Sequence, residues 1–108
     1  PTAIGSELYL DQDSSEHWKR CMQGHSAANM MPVIASNRIG TESDGTSMTF
    51  YGHSFITDGT GAIVKEADNH TQTVLTAEFD LDELAKNRRN WGIFRDRRPE
   101  MYSGICSH

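Results

Sequence analysis

Cys21 is the first residue that could do chemistry. A working thiolate needs a base or a positive field beside it, and His17 and His25 lie four residues to either side of it. In a helix that spacing puts all three on neighbouring turns of one face, so a Cys-His pair is geometrically open. Mid-helix thiols more often pack as small hydrophobes, and that reading outweighs the nucleophile. Cys106 sits near an irregular tail and is weaker still. The histidines His17 and His25 are two turns apart, beyond the adjacent-turn spacing of a metal pair, and His53, His70 and His108 add no ligand at fixed spacing. We expect no metal and no cofactor. His53, between Gly52 and Ser54, reads as a structural, hydrogen-bonded imidazole.

The remaining polar motifs are equally restrained. Gly52-His53-Ser54-Phe55 lacks the second glycine and the following helix of a nucleophile elbow. Gly59 and Gly61 are not followed by the lysine and helix N-terminus that a phosphate loop requires. Glu7 comes after a short apolar run, Thr2-Ala3-Ile4, and a Gly5-Ser6 turn, a strand-end position where sheet proteins place ligand contacts. A carboxylate there could hold a cationic group through a charge-assisted hydrogen bond. No nucleophile, base and orienter assemble from these residues alone, so no catalytic residue is assigned.

The elements that must position these residues are those of one domain of 108 residues. Apolar residues make up 36%, low for a self-contained core. The formal charge of −5 argues against a nucleic-acid partner; the basic cluster Arg88, Arg89, Arg95, Arg97 and Arg98 is interleaved with Asp96 and Glu100 and reads as ion pairs. No apolar run approaches the ~20 residues that cross a bilayer, so no membrane is expected, and two cysteines without a disulfide framework suit a reducing, cytoplasmic setting. The opening Pro1-Thr2-Ala3 reads as the interior of a longer protein.

Asp13 and Glu16 form a capping-box pattern for a helix in which Trp18, Cys21, Met22, His25 and Ala28 supply the apolar face. Gly24 inside that helix suggests close packing, and Asn29 with Pro32 should end it. Val33-Ile34-Ala35 reads as a strand covered on both faces, 41–47 as a polar surface loop, and residues 50–56 as a second strand. Asp58-Gly59-Thr60-Gly61 should turn a hairpin into Ala62-Ile63-Val64, and Thr73 to Ala77 should be a further strand. A second capping pattern, Asp80 with Glu83, opens a helix carrying Leu81, Leu84 and Ala85, with Trp91 closing the stripe and Gly92 placed to end it. The expected class is α+β. A helix on one face of such a sheet leaves the other face needing a cover that these residues do not supply.

Several stretches together resemble one family. They are PTAIGSE from Pro1, His17-Trp18 with MQGH from Met22, PVIASNRIG from Pro32, TFYGHSFI from Thr49, GAIV from Gly61, EFDLD from Glu78 and WGIFRDRRPEMY from Trp91. Over residues 1–102 the chain resembles the N-carbamoylputrescine amidases of the nitrilase, or carbon-nitrogen hydrolase, superfamily; residues 103–108 are an unmatched tail. The resemblance implies a four-layer α-β-β-α sandwich seen here as one incomplete half. It implies an amidohydrolase that converts a carbamoylated amine to the free amine, carbon dioxide and ammonia. The family's Glu base, oxyanion-stabilising Lys and Cys nucleophile fall upstream of Pro1, and neither Cys21 nor Cys106 matches the nucleophile. Ala3, Ile4, Ser6 and Glu7 match the loop that borders the substrate pocket, with Glu7 suited to a distal ammonium and Leu8 standing where the family more often has Pro. Asn37 and Ser54 match near-site positions of structural character. Arg95, Arg97 and Arg98 match a tail that tends to cross a subunit contact. The implied partners are the N-terminal half of the same domain, the small carbamoylated amine and further copies in a homo-oligomer. A β-ureidopropionase or ω-amidase branch, or a non-catalytic self-associating module, are the alternatives.

Overall fold

A computed structural model of the chain describes residues 1–6 and 11–106. Helix α1 spans Ser15–Asn29. Asp13 accepts from the Ser15 N–H at 2.8 Å and the Trp18 N–H donates to the Ser14 carbonyl. Glu16 favours the positive helix end but turns forward to Lys19 and Arg20 instead of back, so the Asp13–Glu16 box is not reciprocal. The helix closes with Met30 in the left-handed conformation (φ 50°). There the N–H of Met31 donates to Ser26 and that of Met30 to Ala27, a Schellman arrangement built without glycine.

The inward face of α1 differs from the expected one. Trp18 and Ser26 are buried and Met22 packs on the core, whereas Cys21 and His25 are exposed. The true stripe runs 18-22-26, and its polar member hid it: the Ser26 hydroxyl accepts from Thr57 Oγ1 at 2.8 Å and lies 2.7 Å from the carbonyl oxygens of both Met31 and Asp58. That satisfies a hydroxyl with no exposure at all. Gly24 has nothing within 4 Å of an added Cβ, so it marks no close approach. The tight contact comes from across the interface, at Gly61 (φ 87°), where a Cβ would meet the Gln23 carbonyl at 2.7 Å.

Strands β1 (Ile34–Ala35), β4 (Phe55–Thr57) and β5 (Ile63–Glu66) form an antiparallel sheet in the order β1-β4-β5. The pair Ala35 and Phe55 faces α1, and Phe55 meets Trp18 edge-to-face with ring centroids 5.4 Å apart. The alternate pair, Ile34 and Ile56, faces the other way, and Ile34 is 70% exposed. Among the described residues no second sheet covers that side. The turn between β4 and β5 is held by Asp58, whose Oδ1 accepts from the Thr60 N–H, the Thr60 hydroxyl and the Ala62 N–H.

Residues 41–47, expected as loop, are mostly strand. β2 (Thr41–Asp44) and β3 (Thr46–Thr49) make a two-stranded ribbon around Gly45 (φ 73°), with every strand residue exposed. A ribbon whose single apolar side chain is Met48 carries no hydrophobic alternation to read. The strand expected at 73–77 is not formed, since among the described residues no neighbour offers that segment a ladder. Helix α2 (Leu81–Trp91) begins where Asp80 accepts from the Asp82 and Glu83 N–H groups and ends at left-handed Gly92. Leu84 packs onto the turn at Gly59, while Leu81 and Trp91 stay about as exposed as each other, 72% and 73%, and close no stripe. A 3-10 turn (Pro99–Met101) and the short α3 (Ser103–Cys106) follow.

The result is a slab of 51 × 42 × 18 Å with a radius of gyration of 17.7 Å, against ~13 Å for a compact domain of this length. Its accessible surface of 8079 Å² exceeds the roughly 6,000 Å² of a compact monomer of this mass. An α+β unit one helix and one sheet deep therefore leaves roughly 2,000 Å² more in water than a closed fold would.

Candidate functional site

The segment Thr2–Ser6 runs beside residues 36–38 and 49–51, stitched to both. The Thr2 N–H donates to the Ser36 carbonyl at 2.7 Å, and the Arg38 N–H donates to Thr2 at 3.2 Å, a parallel bridge centred on Asn37. On the other side the Tyr51 N–H donates to the Ile4 carbonyl at 3.0 Å and the Ser6 N–H to Thr49 at 2.7 Å. Ser6 Oγ accepts from the Thr49 N–H at 3.1 Å, which fixes its side chain. Gly5 is required by proximity, because a Cβ there would lie 2.6 Å from the Thr49 carbonyl oxygen. Ile4 packs against the Trp18-Phe55 core, while Ala3 is exposed. Glu7, the carboxylate expected to hold a cation, lies outside the described residues.

Asn37 is the hub of this region. Its side-chain oxygen accepts from Thr2 Oγ1 (2.8 Å) and the Ile4 N–H (2.9 Å), and its amide donates to the carbonyls of Ile4 (3.1 Å) and Gly52 (3.0 Å). Ser54 Oγ accepts from the Asn37 N–H and closes back toward the Asn37 carbonyl. Every lone pair and N–H in use points at backbone or at Thr2, so Asn37 and Ser54 build the site instead of serving it.

A second group of side chains was not anticipated. Gly52 (φ 65°) and His53 (φ 54°) form consecutive left-handed residues. Gly52 admits no side chain, as its Cβ would fall 2.7 Å from the Asn69 Cα. His53 Nδ1 lies 3.3 Å from Glu66 Oε1, which accepts from Lys19 Nζ at 2.7 Å. The Glu66 hydrogen bond, then that of Glu16, holds the mostly covered Lys19 ammonium above its ordinary pKa despite burial. Asp13 sits below the usual carboxylate range, mainly through the Ser15 hydroxyl and N–H, with His53 adding to the effect. The Ser14 N–H donates to the Tyr51 phenolic oxygen at 3.3 Å. In the sequence His53 reads as a structural, hydrogen-bonded imidazole, but the partners that make up this corner lie 13 to 47 positions apart and leave no signal.

On the opposite side of the sheet a cleft of about 380 Å³ opens over Ile34, Asn37, Ile56, Asp68, Thr71 and Leu75. Asp68 accepts from the His70 and Thr71 N–H groups, which bring its pKa to about 2. The floor of the cleft is the Ile34–Ile56 side of the sheet, where Ile34 is exposed and Ile56 is buried. Cys21 and Cys106 are exposed thiols, and among the described residues no cluster of three His, Cys, Asp or Glu could hold a metal ion. Among the described residues no helix is long and apolar enough to cross a membrane. The arginines pair locally, Arg95 with Asp96 and Arg98 with Glu100.

Comparison with known proteins accounts for the half-built architecture. The chain is 58% identical over 107 residues to a citrullinase of Francisella tularensis subsp. tularensis, covering 97% of this chain and 37% of that one. It is 56% identical over 113 aligned positions to an N-carbamoylputrescine amidase of Oryza sativa subsp. japonica, covering 99% and 38%. A crystal structure of a carbon-nitrogen hydrolase from Helicobacter pylori G27 superposes with a TM-score of 0.81 at 33% identity, over 100% of this chain and 40% of that one. The chain thus spans under two fifths of the length of these curated relatives. The family model for carbon-nitrogen hydrolases matches residues 7–89, and by that match this chain belongs to the carbon-nitrogen hydrolase family.

Proposed function

We propose that these residues are the C-terminal portion of an amidohydrolase that cleaves the carbamoyl carbon-nitrogen bond of N-carbamoylputrescine. One water is consumed overall, and putrescine, carbon dioxide and ammonia are released. The observation that carries this reading is the 56% identity to an N-carbamoylputrescine amidase across 99% of the chain. The Glu, Lys and Cys of the reaction are supplied, in this reading, by a segment outside these 108 residues. That segment also covers the Ile34–Ile56 face as the second sheet of a four-layer sandwich, and the surplus surface of the slab supports such a partner. Ala3, Ile4, Ser6 and Glu7 form one rim of the pocket. Ser6 is pinned by Thr49, and the rim's charge comes from Glu7. Its carboxylate would hold the ammonium at the far end of the substrate, while the ureido group lies at the nucleophile. The assembled enzyme acts as a cytoplasmic homo-oligomer, with Arg95, Arg97 and Arg98 near a subunit contact.

A second substrate is favoured by the 58% identity to a citrullinase. Citrulline shares the ureido group and an amine but adds a carboxylate, which Glu7 would repel. The test is ammonia and amine release by the full-length protein from both compounds. A higher kcat/KM for N-carbamoylputrescine is expected; preference for citrulline would replace the first substrate with the second, and turnover by the isolated 108 residues would overturn the division of labour.

A further inference from the structure

The corner at 52–53 and the first turns of α1 meet at one carboxylate oxygen. Glu66 lies on β5 opposite Phe55, and its Oε1 both accepts from Lys19 Nζ at 2.7 Å and faces His53 Nδ1 at 3.3 Å. Lys19 also reaches Glu16 at 3.1 Å, and Glu16 lies 3.7 Å from Arg20. Asp13, just ahead of the helix, is near enough to His53 to feel its charge. With a neutral imidazole the group sets three carboxylates, Asp13, Glu16 and Glu66, against two cations, Lys19 and Arg20; an imidazolium evens the count.

His53 holds a left-handed backbone (φ 54°), which a non-glycine residue keeps only where its surroundings over-determine it. One restraint is indifferent to pH: the His53 N–H donates to the Asp68 carbonyl (3.1 Å) and the Ala67 N–H to the Ser54 carbonyl (2.8 Å), which prolongs the β4–β5 ladder. The other is the imidazole on Glu66, and histidine is the side chain whose ordinary charge change falls between pH 5 and 8. A neutral ring offers Glu66 at most a hydrogen bond, whereas a protonated ring offers a charge-assisted one. The imidazole is 39% exposed, so the gain is that of a surface pair, small and screened by salt. Its place gives it reach. Lys19 follows Trp18, which meets Phe55 edge-to-face, so these ion pairs run along the margin where helix and sheet share their core.

We propose that His53, Glu66 and Lys19 form a pH-sensitive tie between the β4–β5 end of the sheet and the first turns of α1, drawn tight when the imidazole takes up a proton and slackened when it releases one. A proton bound better by the folded chain than by the unfolded one adds stability that is present below the histidine range and lost as pH rises through it. The tie operates whichever amide is the substrate.

The experiment is thermal melting of the full-length protein at about pH 5.5 and about pH 8.5, either side of the histidine range. Wild type is compared with His53→Asn, which tolerates the left-handed backbone but exchanges no proton. The wild-type Tm should exceed the variant's by about 1–3 °C more at the lower pH than at the higher, the size of an exposed ion pair in a chain of a few hundred residues. That difference should collapse in a Glu66→Gln background, and in about 1 M salt with Glu66 intact. If Glu66→Gln does not fold, the salt measurement decides. An equal gap at the two pH values, or one that widens at the higher, overturns the tie. So does a pH-dependent gap that survives either change, because the partner is then not this carboxylate.

Discussion

Replacing Asn37 should destabilise the protein more than any single surface change near the site, and the size follows from its bonds. Asn37→Ala deletes four side-chain hydrogen bonds at a position 9% exposed. Two partners keep an alternative: the Ile4 carbonyl still accepts from Tyr51, and the Thr2 hydroxyl still reaches the Ser36 carbonyl. The Ile4 N–H and the Gly52 carbonyl lose the amide that met them. At ~1–3 kcal/mol for each covered group left unmet, the loss is about 3 kcal/mol. For a chain of a few hundred residues that is a fall in Tm of roughly 6–12 °C, read by thermal melting of the full-length protein. Asn37→Asp keeps the shape and the two acceptor contacts but turns an oxygen toward the Ile4 and Gly52 carbonyls, so it should fall at least as far at neutral pH. A drop below about 3 °C for alanine, or tolerance of aspartate, would refute the assignment of Asn37 as the hub joining Thr2–Ile4 to Gly52.

Gly24→Ala should stabilise by ~1 kcal/mol, since the position is helical, exposed and open; Gly61→Ala should destabilise, given its φ of 87° and the 2.7 Å approach to Gln23, and paired urea titrations check both signs. Acid should loosen the two loops held by Asp58 and Asp68. Both carboxyls titrate below their ordinary 3.8, Asp58 first through the Thr60 hydroxyl and Asp68, at about 2, first through the His70 N–H. A carboxyl depressed in the folded state adds stability that is complete above its unfolded pKa and disappears as pH falls through the folded value. Melting should therefore be insensitive to these groups above about pH 4 and decline below it, with the Asp68 contribution fading toward pH 2. Asp58→Asn and Asp68→Asn variants should each flatten that decline.

Local chemistry made some elements readable from residues alone. Asp58-Gly59-Thr60-Gly61 declared its turn, and Asp80 and Gly92 bracket α2 because capping is decided within four residues. Longer-range matters were not legible. Ser26 is absent from the residues that read as the inward face of α1, because its hydroxyl is satisfied by Thr57 and Asp58, 31 and 32 residues on. Gly24 drew attention that belonged to Gly61, because a close approach has two sides and sequence shows one. The exposed ribbon 41–49 is held by hydrogen bonds that leave no apolar pattern, and 73–77 has strand composition but, among the described residues, no neighbour to pair with. In the site, Thr2–Ser6 stood out through its motif, whereas Tyr51 and His53 gain meaning only from contacts 13 to 37 positions away.

The ribbon at 41–49 offers a practical handle. Its tip, Gly45, has nothing within 4 Å of an added Cβ and all of its strand side chains face solvent, so a short epitope or dye-bearing loop inserted after Gly45 should ride clear of the fold. Its root, Thr49, grips Ser6. A fluorophore carried there would report, through its anisotropy, how firmly the ribbon's root holds Ser6.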